Sequence, residues 1–183
     1  MQLPMSETAM LVIDMLNAYR HEDAESLVPS VEDIIDPLAG LIAKARKHDD
    51  VDVIYVNDNY GDFAADHDDI VRSALEGTRP DLVKPIVPDK DCRFLTKVRH
   101  SAFYATPLDY LLGRLDTQRL VITGQVTEQC VLYTALDAYV RHLPIVVPRD
   151  AVAHIDADLA DAALKMMERN MRAEVATAAN CLG

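Results

Sequence analysis

The sequence predicts an α/β domain built on a mostly parallel sheet with helices on both faces, and three observations predict it. Short continuous apolar runs, such as Ala9 to Ile13 and Val53 to Val56, lack polar alternation and suit strands buried on both sides. Between them lie segments whose apolar residues recur at helical spacing, as in Val31, Ile34, Ile35, Leu38, Leu41, Ile42 and Ala45. The strict alternation of the two kinds of segment is that of parallel strands joined by right-handed helical crossovers. With 183 residues, half of them apolar, the chain is expected to form one domain over residues 1–183, burying roughly 70% of its unfolded surface.

In chain order, the first strand, Ala9 to Ile13, ends on Asp14, which by itself reads as a turn or cap residue at the sheet edge. Ser30 opens the first helix, with Asp33 placed as the second half of a capping box. Pro37 then implies either a kink or a helix that Asp36 caps and Pro37 begins. The second strand, Val53 to Val56, runs into the polar turn 57–61. A long loop with one short helix, roughly Asp69 to Glu76, continues to about Lys90, and loops of that length often shape pockets. Its Asp62, Asp66, His67, Asp68 and Asp69 have no spacing that fixes a coordination geometry, so they read as a solvated acidic loop.

Cys92 to Thr96 is a third strand leading into Lys97, and Thr106 caps a helix with Pro107 at its first position that runs to Leu115. The fourth strand, Leu120 to Thr123, ends in Gly124. After the turn 125–127 comes a helix with Val131, Ala135 and Ala138 on one face, reaching about His142. Ile145 to Val147 is the fifth strand, followed by a tight turn 148–150. Asp156 and Asp158 open a further helix carrying Leu159, Ala162, Ala163, Met166 and Met167 on one face, and Ala173 to Ala176 is a last strand.

Eighteen basic and 30 acidic residues give a net charge of −12 with no Lys/Arg run, which makes nucleic acids and anionic membranes poor partners. No apolar run approaches a membrane span and no basic residue precedes Arg20, so neither a signal peptide nor a membrane segment is expected, and a cytoplasmic location follows. Three scattered cysteines without a CxxC pair suggest neither a disulfide framework nor a zinc cluster. Cys130 differs from the other two by its place at a helix start, where unpaired N–H groups and the helix dipole favour a thiolate. Against that stands the ordinary role of a lone cysteine as a small packing residue.

Ligands in parallel α/β folds bind beyond the carboxyl ends of the strands. Asp14, Lys97 and the turn before Cys130 all emerge there, so topology brings together a carboxylate, an amine and a thiol that are far apart in sequence.

Three runs carry a resemblance: Leu11-Val12-Ile13-Asp14-Met15 with Asn17, Lys97-Val98-Arg99-His100-Ser101-Ala102-Phe103 with Thr106 and Leu108, and Thr123-Gly124-Gln125-Val126-Thr127-Glu128-Gln129-Cys130-Val131. In this order, over nearly the whole chain, they resemble the isochorismatase-like hydrolases, in particular the cysteine hydrolase branch. The resemblance implies a three-layer α/β/α fold with a sheet of about six strands in the order 3-2-1-4-5-6, and a homodimer or homotetramer. It implies a catalytic triad of Asp14, Lys97 and Cys130, in which Asp14 takes the thiol proton, Cys130 attacks an amide-like carbonyl to give a thioester, and Lys97 stabilises charge. It also implies a cis peptide between Gln125 and Val126 and an oxyanion hole of the Val126 and Cys130 N–H groups.

Departures from relatives narrow the expectation. Nicotinamidases of this superfamily carry a metal bound through an Asp-x-His after the second strand, where this chain has Asp58-Asn59-Tyr60, so no metal and no cofactor are expected. Some isochorismatases, which protonate a vinyl ether, keep the acid and the lysine but lack the cysteine. Leu16 and Ala18-Tyr19 replace the usual Gln and Asp-Phe of the first motif, which alters the pocket wall. The expected function is metal-independent cleavage of a C–N bond in a small molecule, with Tyr19, Asn59, Tyr60, Phe103 and Tyr133 as candidate substrate-binding residues. An isochorismatase-type ether hydrolase, a nicotinamidase-like amidase and a catalytically silent binding subunit are the alternatives.

Overall fold

Every residue of strand β1 (Thr8–Ile13) is buried, because the strand lies in the middle of the sheet with a parallel neighbour on each side. In this computed structural model, which describes residues 7–182, β1 pairs with β2 (Val51–Asp58) from Thr8↔Val51 to Ile13↔Val56. On its other side it pairs with β4 (Arg119–Gln125) from Thr8↔Arg119 to Ile13↔Gly124. Strand β3 (Arg93–Lys97) lies outside β2, and β5 (Ile145–Pro148) and β7 (Glu174–Ala176) extend the sheet beyond β4. The order is β3-β2-β1-β4-β5-β7 and every pairing is parallel.

A seventh strand joins the six read from the sequence. Val152 and Ala153, just past the expected tight turn, form β6 (Val152–Ala153) against Gly124 and Gln125 at the carboxyl end of β4. Two residues give too short a pattern to show as a strand by periodicity.

The two faces of the sheet bury different residues of the same strands. Met10, Val12, Val53, Tyr55, Val121 and Val146 pack beneath α1 (Ala24–Ala45), α2 (His67–Leu75) and α3 (Pro80–Val83). Leu11, Ile13, Ile54, Val56, Ile122 and Val147 pack beneath α4 (Leu108–Leu115), α5 (Leu132–Val140) and α6 (Ala157–Met171). The result is three layers, with residues i and i+2 of each strand sharing a face.

Helix α1 departs from expectation. It does not open at Ser30 or Pro37 but at Ala24, and it carries both Pro29 and Pro37 inside its length. Its stripe from Leu27 to Ala45 is packed on the sheet and holds the helix together across the prolines. Pro37 removes the N–H that would bond the Asp33 carbonyl, and Asp33 lies on the exposed face of the helix, where the missing donor costs least. Helix α2 begins at His67 rather than Asp69, because Asp66 and Asp69 form a reciprocal capping box: the Asp66 carboxylate accepts from the Asp69 N–H (2.9 Å) and the Asp69 carboxylate from the Asp66 N–H (3.1 Å). Part of the acidic loop is therefore a cap. No helix among the described residues is long and apolar enough to cross a membrane.

Candidate active site

The order of the sheet reverses between β1 and β4, and the site lies at the carboxyl ends of those two strands. Asp14 follows β1 directly and takes a left-handed backbone (φ 54°), a conformation that Asp tolerates better than most residues. Its N–H donates to the Val56 carbonyl (3.0 Å) and its Oδ1 accepts from the Asp58 N–H (2.8 Å). Lys97, the last residue of β3, reaches past β2 so that its Nζ lies 2.7 Å from Asp14 Oδ2 and 3.7 Å from Asp58 Oδ2. The same Nζ is 3.8 Å from Cys130 Sγ, and His100 Nδ1 is 4.0 Å from that sulfur on another side.

Gly124 makes this convergence possible. Its φ of +109° is one that L side chains rarely adopt, and a Cβ there would stand 2.1 Å from the Ile13 carbonyl oxygen. Beyond it the Gln125–Val126 peptide is cis. Residues Thr127–Val131 then form a π-helical turn before α5, not the first turn of an ordinary α-helix. The Val126 carbonyl accepts from the N–H groups of Gln129 (3.1 Å) and Val131 (3.2 Å) and passes over Cys130.

The electrostatics correct the thiolate expected at a helix start. Burial pushes the Cys130 thiol up to about 12, the Asp14 charge pushes the same way, and Lys97 and a hydrogen bond from the Val126 N–H oppose them. Burial also raises Asp14, against the opposing charge and hydrogen bond of Lys97. For Lys97 burial acts downward, but Asp14, Cys130 and Asp58 together carry it above its ordinary value. The resting site therefore holds a protonated thiol and a charged Lys97 beside the Asp14 carboxyl.

This has a consequence for stability. Cys92 and Cys130 are raised by burial from 9.0 to about 11 and about 12, and Tyr19 from 10.0 to about 12. Acids held protonated in the folded state and free to ionise in the unfolded one contribute stability that is full below about pH 9 and is lost as pH rises toward the folded values. The urea midpoint is expected to fall from pH 9 to 11. Cys130→Ala should make the decline shallower by roughly 1 kcal/mol per pH unit, and an unchanged slope would place the loss elsewhere.

A cavity of about 290 Å³ opens onto the cluster. Asp14, Asp58, Lys97 and Cys130 form its floor, with Asn17, His21, Gln125, Gln129 and Tyr60 as polar or aromatic lining and Leu27, Val126 and Ile155 as apolar lining. Of the five candidate substrate-binding residues, Tyr60 alone lines it; its hydroxyl donates to the Leu16 carbonyl (3.1 Å). Tyr19 is 3% exposed and belongs to the core under α1, because its left-handed backbone (φ 51°) folds it inward. Asn59 is buried in its own turn, its side chain accepting from the Gly61 N–H (3.0 Å). Phe103 packs in the other core under the Arg141 guanidinium (4.5 Å to the ring centroid), and Tyr133 stands exposed at the edge of His100.

Asn17, His21, Gln125 and Gln129 were not read from the sequence as lining side chains. Their signal was positional: each follows the carboxyl end of β1 or β4, where a loop at the point of strand reversal must face the cleft. Asp58 also belongs to the site. His67 does not; it lies 3.0 Å from an Asp68 carboxylate oxygen and packs at a tilt against Phe94 (centroids 5.4 Å apart).

The metal that some members of the fold family hold does not fit these residues. Asp58 Oδ1 accepts from the Tyr60 N–H (2.8 Å), Asp58 Oδ2 faces Lys97, and a phenol occupies the place of the histidine. Among the described residues no three His, Cys, Asp or Glu side chains are grouped to hold a metal ion.

Fold and site together are those of a three-layer α/β hydrolase. The chain belongs to the isochorismatase family: the model of the isochorismatase domain matches residues 8–180. YaaI of Bacillus subtilis (strain 168), described as an uncharacterized isochorismatase family protein, is 36% identical over 172 residues, 94% of each chain. The structure is similar to N-carbamoylsarcosine amidase from Thermoplasma acidophilum, with a TM-score of 0.75 and 28% identity over 97% of this chain and 99% of that one. It is also similar to the nicotinamidase of Staphylococcus aureus, with a TM-score of 0.70 and 26% identity over 93% of this chain and 99% of that one.

Proposed function

We propose that this hydrolase cleaves a C–N bond of amide, carbamoyl or ureido type in a small molecule, through a thioester on Cys130 and without a metal. The observation that carries the reading is the meeting of Asp14, Lys97 and Cys130 within one cleft, with Lys97 Nζ 2.7 Å from the carboxylate and 3.8 Å from the sulfur. Asp14 accepts the thiol proton as the sulfur forms its bond to the carbonyl carbon, and Lys97 offsets the charge that develops. The Val126 and Cys130 N–H groups receive the oxyanion. Asp14 then gives its proton to the departing nitrogen as the C–N bond breaks. Water attacks the thioester, the carbonyl leaves as an acid, and the thiol is restored. The amidases among the similar structures support this reading, as does the retention of the cysteine itself.

Two measurements test it. Alkylation by iodoacetamide, located by peptide mass, should fall on Cys130 ahead of Cys92 and Cys181, whose thiols donate to the Val53 and Ala178 carbonyls. Equal labelling of the three thiols would refute the assignment. Activity found in a screen of amides and ureas should survive exhaustive treatment with EDTA. Loss on chelation, restored by one equivalent of a divalent metal, would bring back the nicotinamidase-like alternative.

A further inference from the structure

The charges lining the cleft are unequal in sign. Of its lining side chains Lys97 is the only lysine or arginine, and it is 1% exposed and held between two carboxylates, Asp14 at 2.7 Å and Asp58 at 3.7 Å. Its single positive charge is already matched by Asp14, and Asp58 stands beyond it. Among the described residues that line the cavity, no second lysine or arginine is present to receive an anion. Arg20 donates to the Glu76 carbonyl, Arg79 pairs with Glu32 (2.8 Å) and Asp81 (2.6 Å), and the exposed Arg99 lies outside the lining.

What the cavity does offer is uncharged hydrogen bonding. Gln125 is 2% exposed and donates through Nε2 to the Asp14 carbonyl (2.7 Å). A carbonyl only accepts, so this bond fixes the amide's orientation and leaves Oε1 as the free end. That oxygen is closed to the cavity, as is the Tyr19 hydroxyl that interacts with the same amide, so Gln125 shapes the wall by holding the Asp14 backbone. Asn17 and His21, 3.3 Å apart, and Gln129 add further neutral polar atoms, while Leu27, Val126 and Ile155 leave room for a short apolar portion. At about 290 Å³ the cavity is at the small end of ligand pockets.

We infer that the substrate is a small uncharged amide or urea and that carboxylate-bearing amides are rejected, because the lining carries two carboxylates against one lysine. This rests on the cysteine hydrolase reading above and specifies its substrate class. It sets the chain apart from a relative whose name gives it an acid substrate, such as the maleamate amidohydrolase of Pseudomonas putida, 27% identical over 158 residues.

The test is binding to the Cys130→Ala protein, which reports charge selection whether or not the wild-type protein turns the compounds over. Ligand-observed NMR titrations would compare matched pairs: butyramide with succinamic acid, and N-propylurea with N-carbamoyl-β-alanine. The neutral member of each pair is expected to bind at least tenfold more tightly at low ionic strength, with the gap narrowing as salt is added. His21→Arg should strengthen binding of the acids. Carboxylates that bind as well as or better than their neutral partners would overturn the inference. Hydrolysis by the wild-type protein is scored separately, so failure of the catalytic reading shows as neutral binding without turnover.

Discussion

Cys130→Ala is expected to abolish turnover while leaving the fold intact. The thiol touches both Lys97 and Asp14, and losing one member of a concerted unit costs several orders of magnitude in rate. Alanine keeps the Cβ and removes a single buried sulfur, so the circular dichroism spectrum and urea midpoint at pH 7 should change little. Retention of more than about a tenth of the wild-type rate would be incompatible with covalent catalysis at this residue. The sharpest form of the experiment uses intact-mass spectrometry of wild-type protein quenched during turnover. An adduct of the acyl group should appear on the wild-type chain and be missing from the variant.

Lys97→Met should be as damaging to activity and, unlike Cys130→Ala, damaging to the fold. Removing the ammonium leaves Asp14 and Asp58 facing each other's charge at a buried position, and an unpaired buried charge costs about 3 to 5 kcal/mol. The pH dependence follows from Asp14. Its folded-state pKa is already raised by burial, and loss of the opposing lysine raises it further. A carboxyl of that kind destabilises the fold above its folded pKa, and the penalty shrinks as pH falls from the folded pKa to the unfolded one, below which it is gone. The deficit of Lys97→Met relative to wild type should therefore shrink as pH is lowered from 7 toward the ordinary carboxylate range. Adding Asp14→Asn should restore stability at pH 7 without restoring turnover. A variant as stable as wild type at pH 7 would mean that the lysine's charge is not needed to hold these carboxylates in the fold.

How far the sequence revealed this arrangement varies with the kind of information involved. Runs such as Leu11 to Ile13 and Leu120 to Ile122 are short, wholly apolar and bounded by turn residues, so the strands and their parallel sense could be read directly. Asp14, Lys97 and Cys130 could be placed at one edge because strand ends are fixed by topology, not by packing. The environment of Cys130 was another matter. A helix start predicts a lowered thiol, but burial, and after it the charge of Asp14, raise it, and the local turn is π-helical. Nor does a sequence show which aromatic side chains turn inward. Tyr19 and Phe103 went to the two cores, while Gln125 and Gln129, which carry no aromatic signal, took the cleft. Helix α1 ran through two prolines because a packed face outweighs two missing hydrogen bonds.

The pairing of β1 with β4 brings a further consequence, for the time course of folding. Thr8 meets Arg119 and Ile13 meets Gly124, so closing this ladder requires most of the chain to be gathered first, and the entropy of closing so long a loop is lost before any contact repays it. The helices on either face form from local contacts and need not wait. Asp14 and Cys130 stand at the ends of these two late-paired strands. Catalytic competence is thus tied to the slowest kind of contact in the molecule, and a partly folded chain, however helical, has no active site to expose to substrate.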